Sequence, residues 1–287
     1  MTDYVVPMVF DDDASWLDDF HRATGRTLVT SRWRSWGTER IHVESVTKNM
    51  PFVRTIYIIL AKESQIRPWM KYYDKVRIVF HRDFIPQEYL PTFSSRTIEM
   101  FLHRIPDLAE QFIYGNDDMF PLSPLNEEDF FVDGHPCQRH KEIKLPPLLT
   151  QFEYMCKQEL NMIASAFGKQ YVSTCLFGGH SLSPIKKSTC EKVWSQFGDK
   201  ISASITPNGR EDINFNQYIY SFWQHLSGEY VEKVPKRTFT SIQMPIETLS
   251  ALFEGDTGIL CINDDEIEGS YSDYASAIVR LLEKKLK

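Results

Sequence analysis

Four apolar runs, Tyr4 to Phe10, Thr55 to Leu60, Val76 to Phe80 and Gln111 to Tyr114, recur through the first half of the chain with polar or amphipathic stretches between them. Runs this short suit strands buried on both faces, and helical patterning between such strands implies crossover connections. The expected fold class is α/β: a mainly parallel, Rossmann-like sheet flanked by helices. Ser15 to Arg22 reads as a helix. So does Ser94 to His103, which opens on a Ser-Ser cap and sets Ile98, Phe101, Leu102 and the following Ile105 on an apolar face.

The second half reads differently. Pro124 to Pro147 is irregular and rich in Pro, charge and His, the composition of a long active-site loop or hinge. Helical spacing returns over Gln151 to Phe167, Ser188 to Phe197 and Asn214 to Ser227. An apolar run at Gly258 to Ile262 and a helix from Tyr271 to Leu286, with lysines in its last turns, close the chain. The expectation is one domain over 1–287, made of an α/β core (1–123), an irregular and helical part (124–250), and a return strand with its helix (251–287). A hydrophobic content of 42% is ample for such a core.

Charge and cysteine usage narrow the function. A net charge of -7 argues against a broad nucleic-acid surface, so an anionic substrate needs a cation or placed arginines. The first residues lack the basic segment and apolar run of a signal peptide, and no apolar stretch approaches the ~20 residues that span a bilayer. Cys137, Cys156, Cys175, Cys190 and Cys261 form no Cys-x-x-Cys pair, which indicates neither a zinc site nor a disulfide framework and fits a reducing cytoplasm.

The chemistry gathers where strands end. Gln111 to Tyr114 empties into Gly115-Asn116-Asp117-Asp118, and Met119-Phe120 follows at once. Asn-Asp-Asp is good turn chemistry; it is also a set of hard oxygen ligands at the mouth of a sheet, where a cation would relieve the cost of crowding carboxylates between apolar segments. The pattern recurs at Asn263-Asp264-Asp265 after the last apolar run, so the two triplets could converge on one cation or diphosphate. Asp11-Asp12-Asp13 follows the first run, and Asp13 reads equally as a ligand contact or as the cap of the next helix. Arg104 offers a guanidinium for phosphate or a structural ion pair. His180 stands after Gly178-Gly179, where the backbone has room to approach a ligand; a general base and a surface histidine are both readings of it. No phosphate-binding Gly-Lys-Ser/Thr loop, dinucleotide fingerprint, nucleophile elbow or His-Glu-x-x-His helix is present.

Four separated blocks resemble the Stealth family, the sugar-phosphate transferases of capsule and surface polysaccharide synthesis, to which the enzyme marking lysosomal proteins with GlcNAc-1-phosphate also belongs. The second block is the most extended: Trp36-Gly37-Thr38-Glu39-Arg40, Val53 to Ile58, Leu90 to Ser95, His103-Arg104-Ile105-Pro106 and Tyr114 to Phe120. The third is Gly179 to Pro184 with Arg210 to Gly228, and the fourth Leu260 to Asp264. In the first block Asp13 and Trp16 match, whereas Met8, Phe10 and Asp11 depart from the family pattern, as does Glu44 in the second.

The resemblance implies an enzyme that moves a hexose 1-phosphate from a nucleotide sugar to a hydroxyl of a polysaccharide or lipid-linked glycan acceptor. It implies His180 as the base and Arg104 and Arg210 as phosphoryl clamps. Mg²⁺ or Mn²⁺ would sit at Asp117 and Asp118 or at Asn263 and Asp264, and Asp13, Arg40, Asn116, His103 and Asn263 would serve the substrate site. The setting it implies is the bacterial cytoplasm, with at most peripheral contact with the inner face of the membrane and no nucleic-acid partner. A metal-dependent glycosyltransferase moving sugar alone, or a non-catalytic sugar-nucleotide-binding subunit, are the alternatives.

Overall fold

A computed structural model of the chain describes residues 1–26, 31, 33–206, 215–264 and 271–287. In chain order the strands are β1 (Thr2–Pro7), β2 (Val53–Leu60), β3 (Val76–Phe80), β4 (Gln111–Tyr114), β5 (Met119–Pro121), β6 (Phe131–Val132), β7 (His135–Gln138), β8 (Lys141–Lys144), β9 (Thr174–Phe177), β10 (Ser183–Lys186), β11 (Val231–Glu232), β12 (Arg237–Ser241) and β13 (Ile259–Asn263). The helices are α1 (Ala14–Thr24), α2 (Glu39–Asn49), α3 (His81–Phe84), α4 (Ser95–Met100), α5 (Gln151–Ser165), α6 (Lys187–Ser204), α7 (Tyr218–Ser227), α8 (Ile246–Glu254) and α9 (Tyr271–Leu286).

The main sheet has the order β10-β4-β1-β2-β3. Its four strands β4, β1, β2 and β3 run parallel and β10 runs antiparallel on the edge, as the alternation of apolar runs predicts. The chain builds outward from β1 through β2 and β3, then returns to lay β4 on the other side of β1. That reversal is a topological switch point, and it opens a crevice at the carboxyl ends of β1 and β4.

Both faces of the sheet are covered, and side-chain alternation sorts the residues between them. Val5, Tyr57, Ile59 and Phe112 join Leu160, Val193 and Phe222 of α5, α6 and α7 on one face. Tyr4, Val6, Ile56, Ile58 and Ile113 pack with Val43, Val46 and Met50 at α2 on the other. Each fully buried Val or Ile of this kind contributes about 1.5–3 kcal/mol.

Helix α2 has no counterpart in the apolar periodicity, because much of its buried face is polar. His42 and Asn49 are buried there; Asn49 donates to the Pro121 carbonyl (2.7 Å) and its own carbonyl accepts from Leu125 (2.8 Å). The helix is thus a hydrogen-bonding post for the chain around β5. The late apolar run also departs from a simple return to the main sheet: β13 lies in a separate sheet of order β12-β13-β5, parallel to β12 and antiparallel to β5. Phe120, Leu249, Phe253, Leu260, Ile278 and Leu282 form its core with α8 and α9.

The stretch expected to be irregular contains β6 and β7, which form an antiparallel pair, and β8, which pairs with β9. Strands of two to four residues are too short to show a period. Helix α4 is shorter than its apolar face suggested, and the Ser94 side chain at its cap position makes no capping bond. The helix expected from Asn214 runs from Tyr218, with Asn214 itself outside the described residues. Among the described residues no helix is long and apolar enough to cross a membrane.

Candidate active site

The chain leaving β1 and the chain leaving β4 line one cavity of about 590 Å³, together with His180 and the end of β13. Gly115 makes the second exit feasible. A β-carbon there would lie 2.2 Å from the Tyr4 hydroxyl and 2.6 Å from a Leu182 methyl, so only glycine lets Tyr4 stand beneath the Asn116-Asp117-Asp118 turn. The Gly115 amide donates to the Val5 carbonyl (3.0 Å) and extends the β1–β4 ladder by one rung. Tyr4 Oη lies 3.0 Å from His42 Nε2, and both side chains are fully buried. Burial pushes His42 down to about 4, against the opposing pull of the Asp118 charge and the Asp117 carbonyl. Burial, reinforced by the charges of Asp118 and Asp117, keeps Tyr4 protonated. The acidic turn therefore rests on a neutral Tyr–His post.

Asp118 meets two segments, β13 and the loop that carries His180. Its carbonyl accepts from the Ile262 amide (3.0 Å), which pins the turn to β13. Its Oδ2 accepts a long contact from Cys261 Sγ (3.5 Å) and stands 3.6 Å from His180 Nε2. Its Oδ1 is buried with no hydrogen-bond partner. A buried carboxylate oxygen without a donor costs on the order of several kcal/mol, and a hard cation at that oxygen removes the cost.

Asp264, from the second acidic sequence, has a different environment. Arg34 grips it with two guanidinium nitrogens, Nε at 2.5 Å, and Trp36 Nε1 donates to its Oδ2 (2.9 Å). Both oxygens are engaged. Asn263 and Asn116 line the cavity, and the Asn263 carbonyl accepts from Ile242 (3.0 Å). The two acidic exits do converge, but one is open and the other is clamped.

His180 is carried by the 178–182 loop between β9 and β10. Gly179 takes a left-handed φ of +80°, and a β-carbon there would meet Arg237 Nη2 at 2.9 Å. Arg237 in turn donates to the Gly178 carbonyl (2.6 Å) and fixes the loop from β12. Tyr218 Oη lies 3.4 Å from His180 Nδ1, and the Phe239 ring meets the imidazole edge-on at 6.1 Å. Burial keeps the Tyr218 phenol protonated, so it can orient the ring without charging it.

The remaining sequence candidates lie elsewhere. Asp13 caps α1, accepting from the Trp16 amide at 2.8 Å; Trp16, not Asp13, lines the cavity. Arg40 pairs with Glu44 (3.0 Å) and Glu283 (3.6 Å) on the outer face of α2. Arg104 lies exposed over Phe101 and Trp194, 5.1 and 5.3 Å from their centroids. His103 is buried beside Trp194, its pKa lowered to about 4 by burial and then by the Arg104 charge. None of these four lines the cavity. Arg210 and Asp265 lie outside the described residues.

Sequence reasoning gave no role to Arg34 and Trp33 in the wall and placed Trp36 only in the second block, although two tryptophans flanking an arginine in Trp33-Arg34-Ser35-Trp36 were the available signal. It also passed over His81, which lines the cavity just after β3 and is pushed down to about 4 by burial. Glu39, buried and accepting from Ser35, has its pKa raised by burial.

An acid–imidazole cleft at the switch point of a mainly parallel sheet, with an aromatic wall and the volume of a small-molecule site, defines an α/β protein with a ligand-sized crevice at its strand ends. The chain belongs to the Stealth family: residues 32–138, from just ahead of α2 to the end of β7 and including the Asn116–Asp118 turn, match the model of Stealth protein CR2, conserved region 2. A capsular polysaccharide phosphotransferase of Haemophilus influenzae is 34% identical over 66% of this chain and 54% of its own length. A receptor polysaccharide phosphotransferase of Streptococcus gordonii is 27% identical over 99% of this chain and 97% of its own. The chain thus spans about half of the first relative and nearly all of the second. A galactosyltransferase solved with donor and acceptor sugar analogs is 11% identical, with coverage of 98% and 95% and a TM-score of 0.46, a likeness too loose to carry an argument.

Proposed function

We propose that the chain is a phosphotransferase of capsular or surface polysaccharide synthesis, moving a sugar 1-phosphate from a nucleotide sugar to a hydroxyl of an acceptor glycan. The observation that carries this reading is the meeting of Asp117, Asp118 and His180 at one cavity, in a chain whose relatives are named polysaccharide phosphotransferases.

The acceptor hydroxyl gives its proton to His180 Nε2 as its oxygen bonds to the β-phosphorus. The bond from that phosphorus to the bridging oxygen breaks, and a nucleoside monophosphate leaves. His180 suits the role because the tautomer protonated on Nδ1, its N–H donating a hydrogen bond to Tyr218 Oη at 3.4 Å, turns the Nε2 lone pair toward the Asp118 side. The imidazolium that forms then stands 3.6 Å from the Asp118 carboxylate, which stabilises it.

A Mg²⁺ or Mn²⁺ ion held by Asp117, Asp118 and Asn263 would supply positive charge to the diphosphate, and the unpartnered Oδ1 of Asp118 fits a hard ion. Arg34, anchored by Asp264, brings a guanidinium to the wall, and the half-buried Trp36 offers a flat surface to base or sugar, while Trp16, Trp33 and Phe93 pack together as the buried backing of that wall. Arg210 keeps the phosphoryl-clamp role that the family implies. In this reading the enzyme works in the bacterial cytoplasm, at most peripherally at the membrane, on a polysaccharide or lipid-linked acceptor.

Phosphorus NMR of the purified chain with candidate nucleotide sugars and Mg²⁺ tests the reading. A new phosphodiester resonance with release of nucleoside monophosphate, lost in His180→Ala, is expected. Release of nucleoside diphosphate alone would mean sugar transfer without phosphate and would overturn it.

A further inference from the structure

We infer that Asp118, His180 and Cys261 also form a seat for one borderline-soft divalent cation, zinc or its spectroscopic stand-in cadmium, and that filling this seat shuts the transferase off. The three side chains arrive on separate segments. Asp118 ends the β4–β5 turn, Cys261 lies within β13 and His180 sits on the Gly-Gly loop before β10. Their positions are fixed by backbone: Met119 and Cys261 are paired across β5 and β13, and the Ile262 amide binds the Asp118 carbonyl at 3.0 Å.

The geometry is that of a four-coordinate ion. Asp118 Oδ2 stands 3.5 Å from Cys261 Sγ and 3.6 Å from His180 Nε2, and one ligand atom from each residue lies within 4.8 Å of the others. Bonds of about 2.0–2.3 Å to oxygen, nitrogen and sulfur at tetrahedral angles place the donor atoms about 3.3–3.8 Å apart, so two of the three edges are already at length. The donor set matters as much as the spacing. Thiolate and imidazole favour zinc and cadmium over Mg²⁺, which prefers oxygen and keeps its water.

Two further observations point to an ion. Asp118 Oδ1 is buried without a hydrogen-bond partner, leaving the carboxylate able to pivot toward a new charge. Asp118 and His180 also line the cavity, so the fourth position opens to water or ligand. Spacing in the sequence could not have shown this site, because its cysteine and histidine are far apart in the chain. Among the described residues this is the one such cluster of three His, Cys, Asp or Glu side chains.

Binding is a proton exchange. The ion bonds to Cys261 Sγ as the S–H bond breaks, and the thiol proton passes to the buffer. His180 donates the Nε2 lone pair to the ion. The inhibitory half of the inference rests on the proposed role of His180 as base, since that lone pair would otherwise take the acceptor proton; the seat itself does not.

The experiment separates the two halves. Chelator-treated protein is titrated with Cd²⁺ while the thiolate-to-cadmium ultraviolet band and proton release are followed, with no substrate present. One equivalent bound, one proton released, and a band abolished by both Cys261→Ser and Cys261→Ala are expected. Calorimetry should show binding weaker by on the order of 100-fold in either variant and in His180→Gln. Circular dichroism identifies any variant that has lost its fold. No band, or a band that persists in both folded cysteine variants, would overturn the seat. Transfer assays in Mg²⁺ should then show Zn²⁺ inhibition that Cys261→Ser resists; binding without inhibition would overturn the regulatory half and leave the seat standing.

Discussion

The chain carries Asn-Asp at the end of two strands, and the structure treats them in opposite ways. After β4, Asp118 keeps one buried oxygen unpartnered and faces an imidazole and a thiol. After β13, Asp264 has both oxygens taken by Arg34 and Trp36. The same short sequence thus becomes a reactive end in one place and a clamp in the other. What separates them is the support beneath: a neutral Tyr4–His42 pair under the first, a guanidinium against the second. A carboxylate already matched by a guanidinium has little left to offer a ligand, whereas one resting on neutral groups keeps its charge for the cavity.

The largest expected effect breaks the comparison on its reactive side. Asp118→Asn should lower transfer by on the order of 10³-fold, measured as kcat/KM with Mg²⁺, because it removes both the cation's charge partner and the partner of the imidazolium. Loss of similar size in Asp264→Asn would mean that the two exits share the chemistry.

Next is the pH dependence of the neutral post. His42 has its pKa lowered to about 4 in the fold, while the unfolded chain titrates near ~6.5, so the unfolded state binds the proton more readily. The stability from a buried neutral His42 is therefore complete above pH ~6.5 and is lost as pH falls toward ~4, by about 3 kcal/mol. His81, also pushed down to about 4, adds in the same direction. Urea denaturation between pH 7.5 and 4.5 should show the decline, and His42→Gln should flatten it.

A smaller effect tests the post sterically. Gly115→Ala should destabilise by about 2 kcal/mol, because the added methyl meets the Tyr4 hydroxyl, and Tyr4→Phe should recover part of that loss. Equal losses in the two backgrounds would mean that the hydroxyl is not the obstacle.

Smallest is the clamp. A double-mutant cycle on Arg34→Ala and Asp264→Asn should give a coupling of about 1–2 kcal/mol in stability, since both side chains are largely buried. A coupling near zero would return Asp264 to the cavity as an independent acid.

Much of this was legible in the sequence where local pattern decides the outcome. The apolar runs of β2, β3 and β4 announced a parallel sheet, and the exit at Asn116–Asp118 and the Gly-Gly loop at His180 both reach the cavity. Helix α2 was not legible, because the side chains His42 and Asn49 face inward to hydrogen-bond rather than to pack. Nor was the membership of β13 in a second sheet, since strand pairing is non-local and its apolar run fits either sheet. Arg40, Arg104 and His103 have the residue types of a phosphate site, yet α2 turns Arg40 to solvent, and the chain after α4 lays Arg104 and His103 against Trp194. Arg34 was hidden for the converse reason: only its meeting with Asp264, far along the chain, brings it to the wall.

Mn²⁺ binding, followed by electron paramagnetic resonance on the wild type, Asp118→Asn and Asp264→Asn, tests the division between the two exits most directly. Asp118→Asn is expected to weaken Mn²⁺ by on the order of 100-fold, while Asp264→Asn stays within about 3-fold of the wild type. Retention of Mn²⁺ in Asp118→Asn and its loss in Asp264→Asn would contradict that division.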